Sequence, residues 1–166
     1  MSAGLAAERT LVITGHGAEQ VEQAIAGSGA VAVRQQPQLG TGHAVQQAVP
    51  HLPDGGTTLI LNGDVPLIEP ATAAALVAAC GGTQLALLTI ELADATGYGR
   101  IVRNGKQEVR AIVEHKDASE AERAIREVYT GMLAAPTAWL KRAVMALKND
   151  NKQKEFYLTD IVAMAV

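Results

Sequence analysis

Apolar positions along the first half of the chain switch between short continuous runs and helical spacing. "TLVITGHG" (residues 10–17) is a β-branched run closed by glycines and predicts a strand. "AEQVEQAIA" (18–26) sets Val21, Ala24 and Ile25 on one helical face. "AVAVRQQ" (30–36) is a strand again, and "HAVQQAVPHL" (43–52) a helix that Pro50 disturbs or ends. "TTLILNGD" (57–64) is almost continuously apolar, as a strand buried on both faces should be. Residues 68–80 carry a helical pattern, and "QLALLTIEL" (84–92) predicts another buried strand. Strands alternating with crossover-sized helices predict βαβ units and a mostly parallel sheet, an α/β fold.

The rhythm changes after residue 92. "YGRIVRNGKQEVRAIVEH" (98–115) is two alternating runs around Asn104-Gly105, a hairpin signal. "REVYTGMLAAP" (126–136) predicts a strand, and helices follow over 137–148 and about 158–166. No repeat, linker or internal boundary divides residues 1–166, so a single domain is expected. The chain stops within an apolar helical pattern, which suggests truncation.

Composition narrows the function. Aromatic residues are only 3% against 48% hydrophobic overall, so Ala, Val, Leu and Ile must fill the core. The net charge of −3 carries no basic patch, which argues against nucleic acid and anionic membrane as partners. The one cysteine, Cys80, ends an alanine-rich run and is expected to be a buried, inert thiol. No apolar run approaches the ~18 residues of a membrane span. "MSAGLAAERT" lacks the basic start and apolar centre of a signal peptide, so a cytoplasmic protein is expected.

The candidate chemistry sits at turns. The loop "QLGTG" (38–42) follows a strand and opens a helix, at the carboxyl edge where α/β sheets bind ligands. Its glycines allow close backbone approach, and its neighbouring glutamines suit a neutral hydrogen-bonding ligand such as a pyrimidine base. A plain tight βα turn is the competing reading. In "LNGDVPLI", Asp64 leaves a buried strand and is placed to hold Mg²⁺, or else to cap the next helix or form an Asx turn. Gly99 admits a sugar or phosphate, or bends the chain into the hairpin. Glu114 is an acceptor for sugar hydroxyls, or a polar strand end. Thr159 and Asp160 lie near a helix start, where N-capping is the competing role. His16, His43, His51 and His115 lack partners at metal-ligand spacing.

The order of "QLGTGHA", "GDVPLI", "TGYGRIVR", "IVEHKDA", "TGMLAAP" and "FYLTDIVAMA" resembles the uridyltransferase domain of the bacterial bifunctional N-acetylglucosamine-1-phosphate uridyltransferase / glucosamine-1-phosphate acetyltransferase. The likeness runs from about Thr10 to Val166. It implies a Rossmann-like nucleotidyltransferase domain with a hairpin insertion. It also implies transfer of uridylate from UTP to N-acetylglucosamine 1-phosphate with Mg²⁺, giving UDP-N-acetylglucosamine for cell-wall and lipopolysaccharide synthesis. By position, Gln35, Gly40 and Thr41 are implied at uracil. Asp64 is implied as the catalytic metal ligand, with Asn62 and Gly63 beside it at the substrate edge. Gly99, Glu114, Tyr129 and Thr130 are implied at the N-acetylglucosamine pocket, with Tyr157 and Thr159 near the sugar.

The chain also departs from that family. It lacks the first strand with its Gly-Thr-Arg-Met loop and following lysine, the asparagine that partners the metal aspartate, and the acetyltransferase β-helix through which full-length members are implied to trimerise. Tyr129 stands where the family usually has asparagine, and Asn62 where tyrosine is common. The absent strand is expected at the sheet centre. Its neighbours are therefore expected to keep unpaired edges, leaving the chain marginal or completed by another chain. Without the triphosphate loop it is expected to be inactive alone. Gln35, Asp64, Gly99 and Glu114 are expected to converge on one rim of one sheet.

Overall fold

The computed structural model describes residues 5–166. Met1–Gly4, part of the stretch expected to lack a leader, lie outside the described residues. β1 (Leu11–Thr14) and β2 (Val31–Arg34) pair in parallel, Leu11 opposite Val31, with α1 (Ala18–Ile25) as the crossover. Glu22 on α1 ties the unit together: it accepts from Arg34 Nε at 2.7 Å and from the Thr14 hydroxyl at 3.3 Å. The apolar face expected on α1 is poorly covered. No residue of the helix is buried, and Val21 keeps 38% exposure.

A second, five-stranded sheet is built around β7 (Glu127–Pro136). β3 (Thr57–Ile60) and β4 (Ala86–Glu91) both pair antiparallel with β7. Leu133 faces Ile60 on one side and Leu87 on the other, so the two strands flank β7. Further along, β5 (Arg100–Arg103) takes over the β3 side, with Arg100 opposite Val128, and β6 (Val109–Val113) pairs with β5. The parallel sense expected from the βαβ spacing therefore holds within each crossover unit. Every pairing in the larger sheet is antiparallel, because β7 inserts between strands that run the same way.

Alternation along β7 divides the core in two. Met132 and Ala134 face α3 (Pro70–Cys80), packing with Leu76, Ala86 and Cys80, which is fully buried as expected. Leu133 and Ala135 face the opposite side. There they meet α2 (Thr41–Ala48), α5 (Thr137–Met145) and α6 (Ile161–Ala165) through Val45, Leu140, Val144 and Ile161. A four-residue helix, α4 (Glu120–Arg123), was not expected. Ser119 and Glu122 form a reciprocal capping box at its start.

Several boundaries differ for local reasons. α2 begins two residues earlier than the pattern suggested, at Thr41, and the chain tightens into a 3₁₀ turn over Val49–His51 at Pro50. The strand expected over 57–64 ends at Ile60, because Asn62 to Val65 folds into a turn. β3 is only half-buried rather than enclosed on both faces. The hairpin forms, but its loop spans residues 104–108: the Asn104 side chain accepts from the Lys106 and Glu108 amides, and Gln107 takes φ of 65°. Among the described residues no pairing joins β1 to β3. β1 pairs there only with β2, and β3 only with β7, so the strands fall into two sheets rather than the one expected.

Candidate functional site

The loop after β2 is braced from within and from below. Gln35 Nε2 donates to the Gly40 carbonyl at 2.9 Å and lies 3.1 Å from His43 Nδ1. Gly40 adopts φ of 103° and ψ of 174°, a conformation essentially reserved for glycine. A Cβ there would meet the Phe156 carbonyl oxygen at 2.8 Å. That closeness reflects a staple. The Phe156 amide donates to the Leu39 carbonyl (2.8 Å), the Gly42 amide donates to the Phe156 carbonyl (2.7 Å), and the Leu158 amide donates to the Thr41 hydroxyl (3.1 Å).

One residue beyond that staple, Thr159 donates its hydroxyl to Glu114 Oε1 at 2.8 Å. Thr159 is thus not an N-cap; Asp160 holds that place in α6 and makes no side-chain capping bond. Burial pushes the Glu114 carboxyl above its ordinary range. The Thr159 hydrogen bond opposes this, while Asp160 and Asp117 reinforce it. Gly99 lies beside Glu114: a Cβ there would come within 3.5 Å of both carboxylate oxygens. The Tyr129 amide then donates to the Gly99 carbonyl at 2.9 Å.

At the next residues β7 bulges. Thr89 pairs with Tyr129 but Leu87 with Leu133, and Gly131 takes φ of 85°. The Thr130 hydroxyl is committed to the Leu88 carbonyl, and its own carbonyl accepts from Asn62 Nδ2 at 3.3 Å. Asn62 lies directly over Gly131, where a Cβ would collide with its amide nitrogen at 1.9 Å. Gly63 and Asp64 follow in the exposed turn. Asp64 neither caps α3, whose N-cap is Glu69, nor makes an Asx turn; its carboxylate has no partner among the described residues.

One chain of hydrogen bonds and adjacent residues runs from Gln35 through Gly40, Thr41, Leu158 and Thr159 to Glu114, and a second from Gly99 through Tyr129 and Thr130 to Asn62; Gly99 and Glu114 lie side by side where the two meet. The four positions expected on one rim of one sheet are divided between two sheets: Gln35 follows β2 of the smaller one, while Asp64, Gly99 and Glu114 flank strands of the larger, Gly99 beside Glu114 and Asp64 two residues past Asn62. Tyr157 is buried with its hydroxyl accepting from Gln153 Nε2 at 2.7 Å, so it supports the rim from beneath. Phe156, which carries the staple, was not expected as a site residue, and neither was His43, which lies against Gln35 with its ring 6.2 Å from the Phe156 ring. Backbone-mediated braces leave little side-chain signature, though His43 and Gln47 at i, i+4 on α2 are in contact. A surface hollow lined by Leu87, Arg103, Val109, Trp139 and Val162 contains none of the rim residues.

The chain is similar to characterised proteins across this whole architecture. Residues 2–157 match the MobA-like NTP transferase domain family. The bifunctional protein GlmU of Methylibium petroleiphilum is 67% identical over 172 residues, covering 99% of this chain and 37% of that protein. GlmU of Polaromonas naphthalenivorans is 61% identical over 175 residues with the same coverage. The chain thus spans little more than a third of the length of these relatives. Among solved structures, UDP-glucose pyrophosphorylase complexed with UDP-glucose superimposes with a TM-score of 0.73 at 15% identity, covering 98% of this chain and 70% of that one. Its apo form gives 0.72. The fold is shared with these UDP-glucose pyrophosphorylase structures, and the chain belongs to the MobA-like NTP transferase domain family.

Proposed function

We propose that the rim binds a uridine sugar nucleotide, and that the chain is the uridylyl-transfer part of an enzyme that makes UDP-N-acetylglucosamine from UTP and N-acetylglucosamine 1-phosphate in the cytoplasm. The observation that carries this reading is the hydrogen-bonded link from the Gln35–Gly40–Thr41 loop to Glu114, beside which lie Gly99 and Tyr129. It supports a base at one end and a sugar at the other. The Gln35 amide holds the loop that would face uracil, and the Gly40 and Thr41 backbone offers hydrogen-bonding groups at the start of α2. Glu114 presents a carboxylate oxygen to sugar hydroxyls.

In such a transfer the sugar-phosphate oxygen bonds to the α-phosphorus while the bond to the bridging oxygen breaks and pyrophosphate leaves. No protein nucleophile is required, so positioning and charge neutralisation dominate. Among the described residues no group of three or more His, Cys, Asp or Glu is placed to hold a metal. The unpaired, exposed Asp64 carboxylate still suits Mg²⁺, which keeps most of its waters and takes the rest of its oxygens from phosphate. Bound there, Mg²⁺ would offset phosphate charge.

A second reading is a sugar-nucleotide-binding unit that does not turn over unless completed by another chain. The unpaired edges of β1 and β3 favour it. Pyrophosphate release with UTP and N-acetylglucosamine 1-phosphate separates the two. Negligible release by the chain alone is expected, and release well above background overturns the second reading. Calorimetry with UDP-N-acetylglucosamine should show weak binding that weakens further in Gln35→Ala; unchanged affinity removes the uracil assignment.

A further inference from the structure

His43 stands between two glutamines. Its Nδ1 lies 3.1 Å from Gln35 Nε2, and its Nε2 lies 3.1 Å from Gln47 Nε2. All three residues are half-buried. A neutral imidazole has one N–H and one lone pair, so it cannot accept from an amide at both nitrogens. One of the two glutamines must offer its oxygen instead, and groups outside the ring decide which. Gln35 is not free to turn. Its Nε2 also donates to the Gly40 carbonyl at 2.9 Å. Turned round, it would set its own oxygen against that carbonyl, acceptor on acceptor. Gln47 is free. Besides the ring, its amide nitrogen reaches only the His43 carbonyl, at 3.2 Å, and in a helix that carbonyl already has the main-chain N–H of residue 47. Gln47 therefore offers its oxygen to the Nε2 proton of His43, and Nδ1 accepts from Gln35.

Both amide hydrogens of Gln35 are then used, one on Gly40 and one on His43. Its Oε1 makes no hydrogen bond among the described residues, so what Gln35 has left to offer is an acceptor. Protonation of His43 breaks this arrangement. An imidazolium carries N–H at both nitrogens, and Nδ1–H would face Gln35 Nε2, donor on donor. Gln35 can respond by turning its oxygen to His43, which forfeits the bond to Gly40 and leaves N–H groups in place of the free acceptor. The charged side chains on elements packed against α2 do not intervene. β1 carries none. β2 carries Arg34, bound to Glu22; the 3₁₀ turn after α2 carries His51; α5 carries Lys141, bound to Asp54, and Arg142. The 3₁₀ turn Leu158–Asp160 carries Asp160, and Glu155 lies beside Gly40. Among the described residues none of these makes a hydrogen bond or ion pair with His43.

We propose that His43 is a positioning residue for the end of the rim assigned to the base. Neutral, with its proton on Nε2, it keeps the Gln35 amide bonded to Gly40 and leaves the Gln35 oxygen free for an N–H of the ligand. On protonation the amide reverses and the Gly40 bond is lost. The ligand clause rests on the reading that the rim binds a uridine sugar nucleotide; the amide reversal does not.

Nitrogen-15 NMR of the ligand-free chain tests the reversal, from about pH 8 to about pH 5, the range in which histidines change charge. At the upper end His43 should be the Nε2–H tautomer. As it gains its second proton, the Gln35 side-chain N–H signals and the Gly40 and Thr41 amides should shift with the same midpoint. A His43 that carries its proton on Nδ1 at the upper end overturns the proposal, and so does a titration that leaves the Gln35 signals still. UDP affinity tests the consequence. His43→Asn puts a carboxamide oxygen near the place of Nδ1 and has no proton to gain, while His43→Leu removes the acceptor. At about pH 8 wild type should bind UDP about fivefold more tightly than His43→Leu, the worth of one hydrogen bond, and His43→Asn should recover most of the difference. At about pH 5 wild type should fall to the level of His43→Leu while His43→Asn holds its affinity. A role in packing on Phe156 alone predicts equal loss in both variants at every pH, and that result overturns the positioning role. His16, His51 and His115 are present in all three proteins, so a pH dependence undiminished in His43→Asn overturns it as well. If wild type binds no UDP at either pH, the assignment of the rim falls and takes the ligand clause with it; the NMR titration then decides the amide reversal by itself.

Discussion

The two sheets are built to different standards. In the five-stranded sheet β7 has paired neighbours on both sides, and Val128, Leu133, Ala134 and Ala135 are almost wholly enclosed. In the two-stranded sheet each strand has one partner, most positions of β1 are only half-buried, and the crossover helix α1 buries nothing completely. The candidate site spans both. The end proposed for the base hangs from β2 and α2, while the end proposed for the sugar is set in the hairpin and β7. Rigidity is thus concentrated at the hairpin and β7 end of the candidate site. The base end depends on the Phe156 staple to keep its place.

The largest effect should appear in hydrogen exchange. Amides of β1 should exchange about a hundredfold or more faster than those of Val128 to Ala135, because they belong to a smaller cooperative unit. Equal protection would erase the contrast. Strong protection of the Thr57 to Asn62 amides in a monomer would equally remove the expectation that the β3 edge is a weak point. Gly40→Ala should come next. Its forbidden φ and its clash with the Phe156 backbone predict a loss of about 3 kcal/mol in denaturant titration, with α2 and β2 amides losing protection before β7. Uniform loss across both sheets would show that the staple is not local.

Gly131→Ala is expected to be milder, about 1–2 kcal/mol, because the nearest atoms belong to the movable end of Asn62 and the cost lies in φ of 85°. Urea titration of the variant checks it, and a cost above that of Gly40→Ala would reverse the ranking of the two joints. The smallest effect concerns pH. Burial raises the Glu114 carboxyl, so the folded chain holds that proton more tightly than the unfolded chain does. The associated stability is complete below the ordinary glutamate pKa and is lost as pH rises through the raised value. Glu114→Gln should therefore melt about 2 °C higher than wild type at neutral pH, with the difference closing in acid. A difference that stays constant with pH would assign the effect to something other than this proton.

Much of this was legible from residue order. β-branched runs separated by helix-length segments specify an α/β fold, and Asn104 marks a hairpin even though Gln107 moves the left-handed residue elsewhere. The Ser119–Glu122 spacing that caps α4 was readable as well, but a four-residue helix is too short to show periodicity. The position of β7 was not legible. Residues 127–136 read only as a strand, and nothing local says that they separate β3 from β4. At the site, Gly99 and Glu114 stand out as turn and strand-end residues whose chemistry suits a sugar. The Phe156 staple does not, because its bonds run between main-chain groups that every residue possesses.

The placement of β7 also sets an order of events during synthesis. β3 and β4 emerge early, yet neither has a hydrogen-bonding partner within its own stretch of chain; each waits for residues 127–136 to leave the ribosome. Until then their main-chain groups and the alanine-rich α3 have no sheet to close on. Folding that hinges on such a late, distant segment is slow and leaves sticky intermediates. Nascent chains halted before β7 should therefore be the ones that aggregate or recruit chaperones.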